Sequence, residues 1–202
     1  MIPLVQLSAE CAPMVAPSTM AAIVRVESGG RPLEMWNNTT RSMVGSANLA
    51  QAVQYLRQAM VGGQQVDVGL AQVDTENFAS LGLTPRTVFN VCTNLRAGAT
   101  ILHADWEQAQ ASGYHGQQAL YHAFEAYNSG RLWGDAQYAN KILDAAGAHA
   151  PIEFGGLRYA SEVKPDSKAP GVRLTQFRWQ AKLAPATTPA PSSGAGSWPV
   201  LP

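Results

Sequence analysis

From residue 2 to residue 146 the apolar side chains recur three and four positions apart in short runs, and nearly every run is cut off by glycine or proline. That rhythm permits short amphipathic helices around a shared core and excludes a large sheet, a long coiled coil or a repeat array. A first helix is expected over residues 2–12, ended by Pro13. A second begins after Pro17 with Ser18 or Thr19 as its cap, and it sets Ala16, Met20, Ile23, Val24 and Glu27 on one face before Gly29, Gly30 and Pro32 stop it. Leu33 to Ser46, rich in Asn, Thr and Gly, reads as irregular loop. A third helix covers 48–61, and residues 65–73, QVDVGLAQV, alternate as a short extended segment does. Brief helical turns at 74–81 and 84–89 precede helices over 91–111, 117–128 and 135–146. The fold class is therefore mostly α (α+β), with a minor β element.

At 202 residues the chain holds one ordinary domain and an appendage. Only 14% of its residues are charged, which argues against a nucleic-acid partner, since such binding rests on many lysines and arginines. The zero net charge hides an asymmetry: residues 1–150 carry eight Lys/Arg against eleven Asp/Glu, and residues 151–202 carry six against three. The second segment also holds eight of the thirteen prolines and too few large apolar side chains for a core. The domain reading is a globular unit over 1–148 and a flexible, disordered, basic, Pro-rich tail over 149–202.

No run reaches the roughly 20 apolar residues that span a bilayer, so no transmembrane segment is expected. The first basic residue is Arg25, so no removable leader is visible and the export route is not legible. Cys11 and Cys92 match no zinc or redox spacing, which leaves a structural disulfide or two buried thiols. His103, His115, His122 and His149 never pair at metal-binding spacing with a third ligand, so neither metal nor cofactor is expected. Trp36 and Trp133 are of the type that stacks on sugars, but aromatic residues near helix ends are more often core, and neither is assigned to a site.

Glu27 is the anomaly. A carboxylate on an apolar helix face costs several kcal/mol unless it is neutral or well partnered. The alternative is a helix-terminal glutamate reaching out to water.

Three segments stand out together: Glu27-Ser28-Gly29-Gly30 at a helix end, Gly69-Leu70-Ala71-Gln72-Val73 in the extended stretch, and Ala126-Tyr127-Asn128-Ser129-Gly130 at another helix end. Each alone is weak, but their order and spacing resemble the lytic transglycosylase branch of the lysozyme superfamily. VRVESGG, VDVGLAQV and FNVCTNLRAGATIL further resemble the peptidoglycan-cleaving component of type IV secretion systems, over about residues 3–146. The resemblance implies a lysozyme-like helical domain in which Glu27 is the catalytic carboxyl. It implies that Gly69 to Val73 wall a sugar groove with Gln72 facing it, Ser28, Gly69 and Leu70 contributing, and that Tyr127 and Asn128 lie beside the carboxyl.

On this reading Glu27 protonates the bond between N-acetylmuramic acid and N-acetylglucosamine, and the muramic 6-hydroxyl closes on C1 to a 1,6-anhydro product. No second acid is obvious near the site, whereas most glycosidases use two. The Tyr127 hydroxyl needs a partner if buried, either Glu27 or backbone. Asn128 either binds a substrate amide or caps its helix. Ser28 has a purely local hydrogen bond as its alternative. The chain departs from the wider family at Ala71, where many members carry a methionine, and at Glu125, read as a solvated or salt-bridged surface acid. The partners implied are peptidoglycan and type IV secretion apparatus proteins, the latter through the tail, in the periplasm. The competing reading is a catalytically idle wall-binding or assembly protein.

Overall fold

The computed structural model describes residues 3–147. The expectations placed on the tail lie outside the described residues. Helices α1 (Leu4–Cys11) and α2 (Pro17–Glu27) pack against each other, and α2 also packs on the last helix. Pro17 opens α2 at its first turn with no side-chain cap, so Ser18 and Thr19 do not cap it. The fixed φ of proline suits that position and its missing N–H is not needed there.

The segment read as loop contains two strands, β1 (Met35–Asn37) and β2 (Ser42–Met43). At three and two residues, these strands are too short for alternation to register in sequence. Asn37 at the end of β1 is fully buried and satisfies its amide within the fold. It donates to the Tyr55 hydroxyl (2.7 Å) and the Gln64 side chain (2.8 Å) and accepts from the Thr40 N–H (2.9 Å). Helix α3 (Leu49–Val61) follows, opened by Asn48, whose side chain accepts from the Gln51 N–H.

The expected extended segment divides into β3 (Val66–Val68) and β4 (Val73–Asp74), joined by the turn Gly69–Gln72. The four strands form one antiparallel sheet in the order β2-β1-β3-β4. One face of this sheet, with Met35, Val66, Val68 and Val73, is sealed in the core.

After a 3₁₀ turn (Thr75–Asn77), α4 (Phe78–Leu81) and a second 3₁₀ turn (Thr87–Phe89) comes α5 (Val91–Ala111), then α6 (Gly116–Ser129) and α7 (Ala136–Ala145). Asn90 caps α5 and Asp135 caps α7, each accepting from a backbone N–H in the first turn. Leu95, Leu102 and Trp106 of α5, Leu120 and Phe124 of α6, and Tyr138, Ile142 and Leu143 of α7 are buried, as their spacing requires.

Glu125 is not a surface acid. It is 4% exposed on α6 and its carboxylate lies 2.7 Å from His122 Nδ1, so a buried partner accounts for its burial. Cys11 and Cys92 are bonded, fixing the end of α1 to the start of α5 across 81 residues of chain. Closing a loop of that length stabilises the fold by about 4 kcal/mol on the chain-entropy account. The Cys11→Ser/Cys92→Ser double variant is therefore expected to lose about 2–5 kcal/mol of unfolding free energy in oxidising buffer, measured by urea titration.

Candidate active site

Helix α2 ends at Glu27 because Ser28 leaves the helical conformation and Gly29 and Gly30 take positive φ of 60° and 80°. The glutamate thus projects from the last turn into a cleft of about 600 Å³. Arg31, Glu34, Trp36, Asn38, Met43, Asp67, Gln72, Asp74 and Asn128 complete its lining.

The wall facing α2 is the Gly69–Gln72 turn, and three helices grip it. Ser28 Oγ donates to the Leu70 carbonyl (2.8 Å). Asn94 of α5, 1% exposed, donates to the Val68 carbonyl (2.9 Å) and accepts from the Ala71 N–H (2.7 Å). Tyr127 of α6 donates to the Ala71 carbonyl (2.7 Å). The approach is close enough that a Cβ on Gly69, at φ 82°, would come within 2.4 Å of the Asn94 amide. A Cβ on Gly98 of α5 would come within 2.5 Å of the Ala71 Cβ. Gln72 closes the turn at φ 45° and donates to the Gly69 (2.8 Å) and Glu34 (3.2 Å) carbonyls.

Glu27, Gln72 and Asn128 therefore meet in the cleft, whereas Ser28, Gly69 and Leu70 stand behind its wall. Tyr127 does not bond Glu27: its hydroxyl is taken by backbone, the second of the two alternatives. The phenol on the Glu27 carboxyl belongs to Tyr138, which donates to Glu27 Oε1 and stacks on Tyr127 with planes 13° apart. Sequence spacing could not choose between the two, since both tyrosines sit at inward helical positions. The selecting residue is Asp135. One of its oxygens caps α7 at the Tyr138 N–H (2.9 Å) and the other accepts from the Asn128 side chain (2.9 Å), tying the end of α6 to the first turn of α7. The sequence signal was Asp135 three residues before Tyr138, a helix-opening pattern that brings the tyrosine into the first turn.

Burial raises the Glu27 pKa from 4.5 to about 7, and the Tyr138 hydrogen bond offsets part of that rise. Glu34 is driven the opposite way: the Arg31 guanidinium, 2.6 Å away, holds it below the ordinary carboxylate range. Burial, reinforced by Asp74 opposite, pushes Asp67 up to about 7. The expectation that no second acid lies near the site is thus corrected, because Asp67 is 40 residues downstream of Glu27 and only the sheet brings it to the cleft. Among the described residues no group of three or more His, Cys, Asp or Glu could hold a metal ion.

A helical domain with a small antiparallel sheet, and a glutamate kept protonated near neutrality in the cleft between them, is of the lysozyme-like class. Residues 5–142 match the Transglycosylase SLT domain family, and the chain belongs to that family. Its relatives include Protein virB1 of Agrobacterium fabrum, 36% identical over 174 residues, which cover 85% of this chain and 68% of that protein. Protein virB1 of Rhizobium radiobacter is 38% identical over 144 residues, covering 70% and 60% respectively. Type IV secretion system protein virB1 of Brucella suis biovar 1 is 30% identical over 218 residues, covering 99% and 90%. No solved structure matches the chain.

Because the folded-state pKa of Glu27 lies above its ordinary value, its contribution to stability is complete below about 4.5 and is lost as pH rises through about 7. Tyr138→Phe removes the bond that favours the ionised form and is expected to move the Glu27 pKa further up. Tyr127→Phe, which breaks only the Ala71 contact, is expected to leave it near 7. Carbon-detected NMR titration of the Glu27 carboxyl distinguishes the two.

Proposed function

We propose that the chain is a peptidoglycan lytic transglycosylase that cleaves the β-1,4 bond between N-acetylmuramic acid and N-acetylglucosamine and opens the wall locally for a type IV secretion apparatus. The observation that carries this reading is the half-buried Glu27 carboxyl, with a pKa raised to about 7 and a phenol donating to it. The protonated acid gives its proton to the glycosidic oxygen as the bond to muramic C1 breaks, and the substrate's acetamido group supports the developing positive charge. The Glu27 carboxylate so formed is stabilised by the Tyr138 hydroxyl. It then takes the proton of the muramic 6-hydroxyl, whose oxygen bonds C1 to give the 1,6-anhydro end without consuming water. Gln72 and Asn128 bind substrate amide and hydroxyl groups on this reading, which their position on the cleft lining supports.

The relatives named as type IV secretion system proteins support the secretion setting and a location at the cell wall, in the periplasm. No helix of the described residues is long and apolar enough to cross a membrane. The domain division at residue 148 and a docking role for the basic, Pro-rich tail are part of this proposal, resting on composition.

Glu27→Gln is expected to lower the cleavage rate about 100- to 10,000-fold. Mass spectrometry of digested peptidoglycan should show anhydro ends with the wild type. Hydrated reducing ends would mean a muramidase, and undiminished cleavage by Glu27→Gln would favour an idle wall-binding protein. In the wild type kcat/KM should fall tenfold per pH unit above about 7, as Glu27 of the free enzyme loses its proton. Deleting residues 151–202 is expected to weaken recovery of apparatus components in pull-downs while leaving cleavage of isolated peptidoglycan intact.

A further inference from the structure

The reaction as proposed uses Glu27, Tyr138 and Asn128 from the helices and Gln72 from the β3–β4 turn, and leaves the strands themselves without a role. Register fixes what that side presents. Trp36 pairs with Met43 on one flank and with Asp67 on the other, and Asp67 pairs with Asp74. Residues opposite one another in a ladder point to the same face, so Met43, Trp36, Asp67 and Asp74 form one row across all four strands. All four line the cleft with Glu27. At about 4.8 Å between neighbouring strands, the row is about 14 Å long, more than one sugar ring.

The two halves of the row differ in chemistry. At the β2 edge, Met43 is 58% exposed beside a half-buried Trp36, an apolar platform at the rim of an otherwise polar cleft. Burial in the core does not explain either side chain. At the other half, Asn38 Nδ2 donates to Asp67 (3.0 Å) and Asp74 (3.3 Å), holding two carboxyls side by side. The other oxygen of Asp74 is occupied by the Glu76 N–H (2.7 Å), at the start of the 3₁₀ turn. Asp67 is the member of the pair not engaged in capping.

A pyranose ring has the matching asymmetry, with a C–H face that stacks on an indole and a rim of O–H and N–H donors that carboxyls accept. We propose that this row is a saccharide subsite, in which Trp36 and Met43 carry the apolar face of an N-acetylhexosamine unit of the glycan strand and Asp67 accepts hydrogen bonds from its polar rim. The inference rests on the reading of the chain as a glycan-cleaving enzyme and names residues that hold the strand for it.

The test uses the full chain carrying Glu27→Gln, with N,N′,N″-triacetylchitotriose as the probe and calorimetry and indole N–H shifts as readouts. The trisaccharide is expected to shift the Trp36 indole signal. Trp36→Ala should weaken binding about tenfold, and Trp36→Phe should recover most of the loss. Met43→Ala, at an exposed position that does not threaten folding, should weaken binding about threefold. Asp67→Asn should weaken it as well.

An unmoved Trp36 signal, or unchanged affinity in a folded Trp36→Ala and in Met43→Ala, overturns the subsite. Cleavage of peptidoglycan by the chain with Glu27 intact is scored separately. Loss of the subsite with cleavage retained removes only this inference, whereas binding along the row with no cleavage removes the catalytic reading instead.

Discussion

The grip of three helices on the Gly69–Gln72 turn organises the molecule. Ser28 at the end of α2, Asn94 in α5 and Tyr127 in α6 each spend a buried polar group on the backbone of the same few residues. Such bonds cost little to make and much to leave unmade, because each partner is withdrawn from water. They fix the backbone of that turn as a wall and set how far it stands from Glu27. The glycines belong to the same constraint: at Gly69 and Gly98 any side chain would occupy the space in which turn and helix meet. Fold and cleft are therefore not separable here, since the contacts that fasten the sheet to the helices also place the acid.

Within that frame, three carboxyls of one cleft are driven in two directions, Glu27 and Asp67 upward and Glu34 downward. Glu27 is lifted mainly by burial, Asp67 by burial and by a like charge beside it, and Glu34 is lowered by a guanidinium. Environments that push acids apart let one cleft offer a proton donor and a fixed negative charge at the same pH. A fourth acid, Asp105 of α5, is raised to about 8 by burial alone, so it enters the helix packing uncharged near neutrality.

The helices were largely legible because their signals are local. Apolar spacing and glycine stops place α5 at 91–111, and Asn90 ahead of it is an ordinary cap. Glu27 was legible for a related reason, a charge where the period demands an apolar residue. Half of the sheet was legible too, since the alternation over 65–73 marks β3 and β4, but β1 and β2 were not, because strands of three and two residues among Asn, Thr and Gly carry no period and their evidence lies in partners such as Asn37 with Tyr55 that are distant in the chain. The same limit misassigned the phenol. Tyr127 stands in a recognisable segment and Tyr138 does not, yet contact with Glu27 is decided by Asp135 tying two helices together. Asn94 and Asp67 carry no local signal, because a buried polar residue on a helix and an acid in a strand acquire meaning only through what faces them. Glu125 was not legible as buried because its hydrogen-bond partner, His122, is visible in sequence while the burial of both is not.

The hydroxyl that meets Glu27 comes from the last described helix, 111 positions further along the chain. The carboxyl and its phenol are thus made at opposite ends of the domain's synthesis. A ribosome that has finished α1 to α6 has produced almost the whole cleft, but with the acid unattended. Completion of α7 is what joins them, so a chain cut short before Tyr138, or one threaded through a pore before that helix docks, carries the sheet and the turn without an assembled proton donor.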